Sequence, residues 1–286
     1  MSKNPTISLR SRWLSEKLKA ARLEAGHTLV DAAEYLQMDH GTLSRFERGT
    51  HRIRRSYVKD LLDFYGVSSP RGREFLLKLS EDTWRKNWSD LDSYGLDAEF
   101  VDYTWLEASS VTIRAFEPLL VHGLLQTPQY VQALTRFEQG PEVTPSELSH
   151  VADVRTRRQR ILYSNEPTHL TVIMEEPAVR RPIGSAAILR EQLTHLLDIN
   201  QQENVDIRVL MTDTPAAPGH HGPFTIFDMP DPYPAIVYVE DVVGRSFYED
   251  DIKVDRFQRT YDEIDNLALT TIESSRLIER ILKETE

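Results

Sequence analysis

The chain has 286 residues, enough for about two domains, and a net charge of −11. It has no cysteine, which excludes disulfides, thiolate metal sites and cysteine nucleophiles. No run approaches the ~18 apolar residues of a membrane span, and MSKNPTISLRSRW lacks the apolar core of a secretion signal, so the expectation is a cytoplasmic protein with no membrane contact. The net charge hides an asymmetry. Residues 1–86 hold 17 Lys and Arg against 11 Asp and Glu, giving +6; residues 87–286 hold 17 against 34, giving −17. A basic head suited to a polyanion and an acidic body that is not is the expected division.

In chain order, residues 9–25 form an amphipathic helix with Leu14, Leu18, Ala21 and Ala25 on one stripe, ended by Gly26. Thr28 to Gly49 then reads as two short helices around a tight turn. Thr28 caps the first, with Asp31 as a capping-box partner, and Asp39 caps the second. Ala33, Leu36, Leu43 and Phe46 supply apolar contacts, Met38 fills the turn, and Gly49 closes the second helix, where positive φ is common. Small Ala32 and Ala33 permit a steep helix crossing. The stretch is a helix-turn-helix whose second helix is placed to enter a major groove.

This stretch resembles the lambda-repressor-like (Xre-type) helix-turn-helix, through Thr28, Ala33, Leu36, the run Leu43-Ser44-Arg45-Phe46-Glu47, and Gly49. It departs from that pattern at Gln37, where Gly is usual. A left-handed backbone there strains Gln without forbidding it. His40, Gly41, Thr42 and Arg45 are the candidates for base readout, on the first turn and outward face of the second helix. Arg45 is suited to a bidentate contact with guanine, its alternatives being a salt bridge to Glu47 or Glu24 or a phosphate contact. Gly41 offers no side chain, leaving close backbone approach. Thr28, Leu29, Ser44, Arg48 and Thr50, with Arg52, Arg54 and Arg55 in the loop that follows, are the candidate phosphate contacts. The resemblance gives that loop a path along the sugar–phosphate backbone and gives Glu47 a structural role.

Residues 56–65 read as a fourth helix stopped by Gly66, and Ser69-Pro70 starts a fifth running to about Trp88, with Phe75, Leu76, Leu79 and Trp84 for packing. The expected head is a mainly α, five-helix domain over 9–88, linked through acidic 87–97 to an α+β domain over 98–286. There, 98–110 reads as a helix and SVTIRAFEP as a strand. The run Gly123-Leu124-Leu125-Gln126-Thr127-Pro128-Gln129-Tyr130 leads into a helix with Pro at its favoured first position. A long helix over 144–164 ends in Arg155, Arg157, Arg158 and Arg160, for which pairing with the acidic C-terminal helices is expected, the alternative being an anion-binding or partner-binding face. A strand and short helix follow from Leu170, then a helix with Leu189, Leu193, Leu196 and Leu197 inward. The strand VDIRVLM, two strands across a Pro-rich turn in 222–240, a third in VGRSFYE, and helices near 250–270 and 273–284 complete the chain.

Through GLLQT-x-x-Y this half resembles a domain of unknown biochemical activity that follows the helix-turn-helix in many regulators of filamentous actinobacteria. A Pro often precedes that Gly; here it is His122. No nucleophile elbow, P-loop or dinucleotide fingerprint is present. His220-His221 sits among Pro and Gly without ligand spacing, and Glu175-Glu176 with Asp198 do not converge on one atom, so no enzyme, metal or cofactor is expected. The leading expectation is a sequence-specific regulator of double-stranded DNA, binding an inverted repeat as a homodimer. The resemblance implies an alternative, an antitoxin-like body that sequesters a small partner protein encoded nearby. A third reading is a small-molecule receptor with a pocket lined by Trp105, Tyr130, Phe224 and Tyr238.

Overall fold

A computed structural model describes residues 7–84, 97–215 and 222–285. The chain divides into two compact units, 1–105 with 231–233, and 106–230 with 234–286. In the first unit the helices are α1 (Leu9–Glu24), α2 (Leu29–Tyr35), α3 (His40–Glu47), α4 (Arg55–Phe64), α5 (Pro70–Asp82) and the start of α6 (Ala98–Ser109). Four of these begin on a side-chain cap: Ser8, Thr28, Asp39 and Ser69 each accept a backbone N–H from three residues on. Helix α5 stops at Asp82, short of the expected Trp88, and Thr83 caps its C-terminus; residues 85–88 lie outside the described residues.

Leu14, Leu18, Leu43, Val58, Leu61, Leu62, Leu76 and Leu79 are buried in the first unit, while Ala21 and Ala25 sit at the rim. Trp13 and not the alanines completes the α1 face, its ring edge-on to Trp105 at 6.3 Å between centroids. Ala32 and Ala33 are buried to 0 % and 3 % exposure, as a close crossing of α2 over α3 requires. Residues 231–233 complete this unit: Tyr233 packs against Phe75 and Trp105 and donates its hydroxyl to Asp82 at 2.7 Å.

The second unit is built on six strands, β1 (Thr112–Glu117), β2 (His169–Glu175), β3 (Val205–Leu210), β4 (Phe224–Asp228), β5 (Ile236–Glu240) and β6 (Arg245–Tyr248). They form one mixed sheet in the order β3-β2-β1-β4-β5-β6. Strands β1, β2 and β3 are parallel, while β1–β4, β4–β5 and β5–β6 are antiparallel. The β1-to-β2 crossover carries α7 (Pro128–Gln139) and α8 (Pro145–Gln159), followed by a 3-10 turn at Arg160–Tyr163. The β2-to-β3 crossover carries α9 (Glu176–Arg180) and α10 (Ala186–Ile199), and α11 (Asp251–Leu267) and α12 (Thr271–Glu284) end the chain.

Register decides which face each residue serves. Phe116 stands opposite Ile173 on one side and Phe224 on the other. With Ile226, Val237 and Leu210 these residues meet Val254, Tyr261 and Ile264 of α11 in one apolar core. Ile113, Ala115, Val172, Met174, Ile207 and Val209 are buried on the opposite face. Two parallel crossovers progressing in one direction lie on one face of a sheet, so α7, α8 and α10 cover that side. The open edge of β3 is closed by side chains and backbone: Val209 N donates to Ser274 Oγ, Ile207 N to Asn200 Oδ1, and Leu269 N to Val209 O. That removes one edge as a template for strand addition. Among the described residues no helix is long and apolar enough to cross a membrane.

Candidate nucleic-acid interface

The turn between α2 and α3 follows from its residues. Thr28 Oγ1 accepts from Asp31 N at 3.2 Å while Asp31 Oδ2 accepts from Thr28 N at 2.8 Å, a complete capping box. The Asp31 carboxylate is held below its ordinary value by these bonds from Thr28. Gln37 takes φ 51°, the only non-glycine with positive φ among the described residues, so the departure from Gly leaves the left-handed turn in place at a steric cost. Asp39 Oδ2 then accepts from Thr42 N at 3.0 Å and starts α3. Gly49 closes α3 at φ 68°, and a Cβ there would meet Ile7 Cγ2 at 2.9 Å and Ser15 Oγ at 3.2 Å.

Helix α3 turns Leu43 inward at 1 % exposure, with Phe46 half-buried beside it. His40 and Arg48 are exposed; Gly41, Thr42, Ser44 and Arg45 are half-buried. Arg45 Nη2 donates to Thr42 Oγ1 at 2.9 Å, and its Nε is buried without a hydrogen-bond partner among the described residues. The expected alternative partner Glu47 is occupied elsewhere. Arg22 Nε and Nη2 donate to the two Glu47 oxygens at 2.7 and 2.9 Å, and Arg22 Nη1 donates to His27 O at 2.8 Å. Both side chains of this pair are 9 % exposed, and the Glu47 carboxylate raises the Arg22 guanidinium above its ordinary value. The pair ties α1 to the end of α3 and leaves Arg45 without that carboxylate. Sequence reading missed it, although Arg22 occupies the position one turn after Leu18 on the inward stripe, where a cation requires a buried partner.

The remaining candidates fall around α3. Thr28 Oγ1 is engaged in its cap, and Leu29 is the first residue of α2. Arg48 Nε donates to Ser44 O at 3.2 Å, and Thr50 Oγ1 donates to Arg45 O at 3.1 Å, fixing the exit from the helix. In the loop, Arg52 lies 5.8 Å above the Trp84 ring. Arg54 is exposed and precedes α4, the one helix start in this run without a side-chain cap. Arg55 pairs with Glu81 at 2.7 Å, both half exposed.

In the second unit the GLLQT run is a structural knot. Leu125 O and Thr127 N are held by the amide of Gln192, itself 0 % exposed, at 2.7 and 2.8 Å. Gln126 Nε2 donates to Val121 O, Gln159 Nε2 donates to Gln126 O, and the Tyr130 hydroxyl accepts from Val121 N. Gly123 lets two guanidinia approach the turn closely, since a Cβ would stand 2.6 Å from Arg155 Nη1 and 3.0 Å from Arg158 Nη2. Arg158 pairs with Glu107 of α6 through two bonds of 2.7 Å, both side chains almost fully buried. The expected pairing with the C-terminal helices is corrected for Arg158: a guanidinium at that depth takes the carboxylate available at the same depth. Burial, with Arg158 and Arg155 nearby, pushes His122 down to about 3, so its ring is neutral. Burial pushes the half-buried Glu117 at the end of β1 up to about 8, Glu240 adding to the rise and Arg155 opposing it.

Of the four aromatics proposed to line one pocket, the three in the second unit are dispersed. Trp105 belongs to the first unit, Tyr130 to the GLLQT knot, and Phe224 and Tyr238 to opposite faces of the sheet. Glu176 is held by Arg180 at 2.6 Å, and His220-His221 lies outside the described residues. Among the described residues no group of three or more His, Asp or Glu is arranged to hold a metal.

Residues 13–76 match the helix-turn-helix domain family HTH_31, and residues 100–280 match a domain of unknown function, DUF5753. The chain belongs to the DUF5753 family. No curated protein and no solved structure matches it. The DUF5753 match runs from Phe100 in α6 to Arg280 in α12 and so includes the whole sheet and the GLLQT knot. The helix-turn-helix match supports DNA binding by this DUF5753 chain and points to a role in regulation.

Proposed function

We propose that the chain is a sequence-specific transcription regulator of the lambda-repressor-like (Xre) type, with a DNA-binding domain over 9–88 and an effector domain over 98–286. The observation that carries this is α3, where Arg45 is braced by Thr42 through Nη2 while the neighbouring acid is committed to Arg22. A guanidinium held that way is set for the O6/N7 edge of guanine, with His40, Gly41 and Thr42 beside it. Thr28, Leu29, Ser44, Arg48, Thr50, Arg52 and Arg54 supply the phosphate contacts that fix register, joined by Arg55 once it leaves Glu81. One such head covers too little groove for tight binding, so two copies act on an inverted repeat.

Selection of bound duplexes from a random pool by the purified full chain tests the reading. The expected product is an inverted repeat with half-sites about 10–10.5 base pairs apart, or a multiple of that spacing. Binding without any enriched sequence, disappearing between roughly 50 and 200 mM salt, overturns it, since only phosphate attraction then remains. An antitoxin-like role, in which the acidic domain holds a small protein partner, would take its place.

A further inference from the structure

Arg54, Arg55, Ser80, Glu81 and Trp84 line an open cavity of about 430 Å³ in the first unit. That lies within the roughly 300–1,000 Å³ of small-molecule sites. Trp84 is 49 % exposed, yet its ring is fixed, because Nε1 donates to Ile53 O at 3.1 Å and the Arg52 guanidinium lies over it. A pinned indole with half its surface open presents a stacking face at little ordering cost. The exposed Arg54 side chain makes no hydrogen bond or ion pair among the described residues. Among the described residues the Arg55 side chain is bound only to Glu81, in a pair with 54 % and 40 % of the side chains exposed. A pair so exposed is weak, and a competing anion can displace its carboxylate.

We propose that this cavity binds a small anionic aromatic molecule of nucleotide type. Its planar base stacks on Trp84, and its phosphate is taken by Arg54 and by Arg55 as the latter leaves Glu81. Duplex DNA does not satisfy the same groups, since its bases remain stacked inside the helix and only its phosphates reach the arginines. The binding itself is independent of the regulator reading. Its consequence, competition with DNA phosphates for Arg54 and Arg55, rests on that reading.

The test is calorimetric titration of the DNA-free full chain with adenosine and guanosine 5′-monophosphate, with the nucleosides and inorganic phosphate as separate probes. The expected result is saturable binding of a nucleotide, with each half of the molecule at least about tenfold weaker alone, the scale of losing one base–aromatic stack. Arg54→Ala, which removes an exposed side chain with no partner, lowers affinity about tenfold at unchanged thermal stability; Trp84→Phe retains most of it. Glu81→Gln raises affinity, because Arg55 is then free, a gain that a merely structural role for Glu81 does not produce. No nucleotide binding up to about 10 mM, equal binding of inorganic phosphate, or an unchanged affinity in Arg54→Ala overturns the proposal. None of these outcomes depends on whether the chain selects a DNA sequence.

Discussion

Replacing Glu47 by Ala removes the carboxylate from a pair whose side chains are each 9 % exposed, leaving the Arg22 guanidinium with only the His27 carbonyl at 2.8 Å. Breaking a buried ion pair from one side costs about 3–5 kcal/mol, because an uncompensated charge remains. The surviving bond to His27 places Glu47→Ala at the lower end, about 3 kcal/mol, a large part of the roughly 5–15 kcal/mol that holds a domain. Glu47→Gln keeps an acceptor but loses the charge and should cost about half as much. The double replacement Arg22→Met with Glu47→Leu should lie close to wild type, since neither charge then needs solvation. Native-state hydrogen exchange of the full chain is the suitable assay, read at Leu18 in α1 and Leu43 in α3, because the two units need not open together. A cost below about 1 kcal/mol for Glu47→Ala, or a double variant as unstable as the single one, would refute the claim that this pair sets the α1–α3 junction.

Gln37→Gly relieves the positive φ of 51° and should stabilise the first unit by about 0.5–1 kcal/mol in the same exchange experiment, the steric relief exceeding the added backbone entropy. Glu117 provides a pH test in the second unit. Its carboxyl is raised from 4.5 to about 8 in the fold, so the stability it contributes is complete below pH 4.5 and is lost as pH rises through about 8. Glu117→Gln should therefore match wild type near pH 4.5 and gain on it progressively up to about pH 8 in chemical unfolding; a constant difference across that range contradicts the assignment.

Local chemistry was legible wherever the cause lies within a few residues of the effect. The caps at Thr28 and Asp39, the positive φ at Gln37 and Gly49, and the inward Leu43 are all consequences of short-range geometry, and the structure places each as read. Ion pairs separated by 25 and 51 residues were not legible. Spacing offered Glu47 or Glu24 as an alternative partner for Arg45, and the charge run suggested the C-terminal helices for Arg158, while depth of burial pairs Glu47 with Arg22 and Arg158 with Glu107. The sheet order was equally hidden, since alternation identifies a strand but not its neighbour. The GLLQT run marked a family resemblance, and its structural role, polar groups serving backbone atoms, was not legible from the motif.

The central claim is that Arg45 reads a base from α3. The direct measurement is duplex selection with Arg45→Ala beside wild type at one salt concentration. Among the described residues Arg45 has no ion pair to lose, so the variant should fold normally, and its preference should relax at a single base per half-site by about 1–3 kcal/mol while the rest of the motif persists. A motif unchanged at every base, with affinity lowered uniformly, would contradict the account and reduce Arg45 to a phosphate contact.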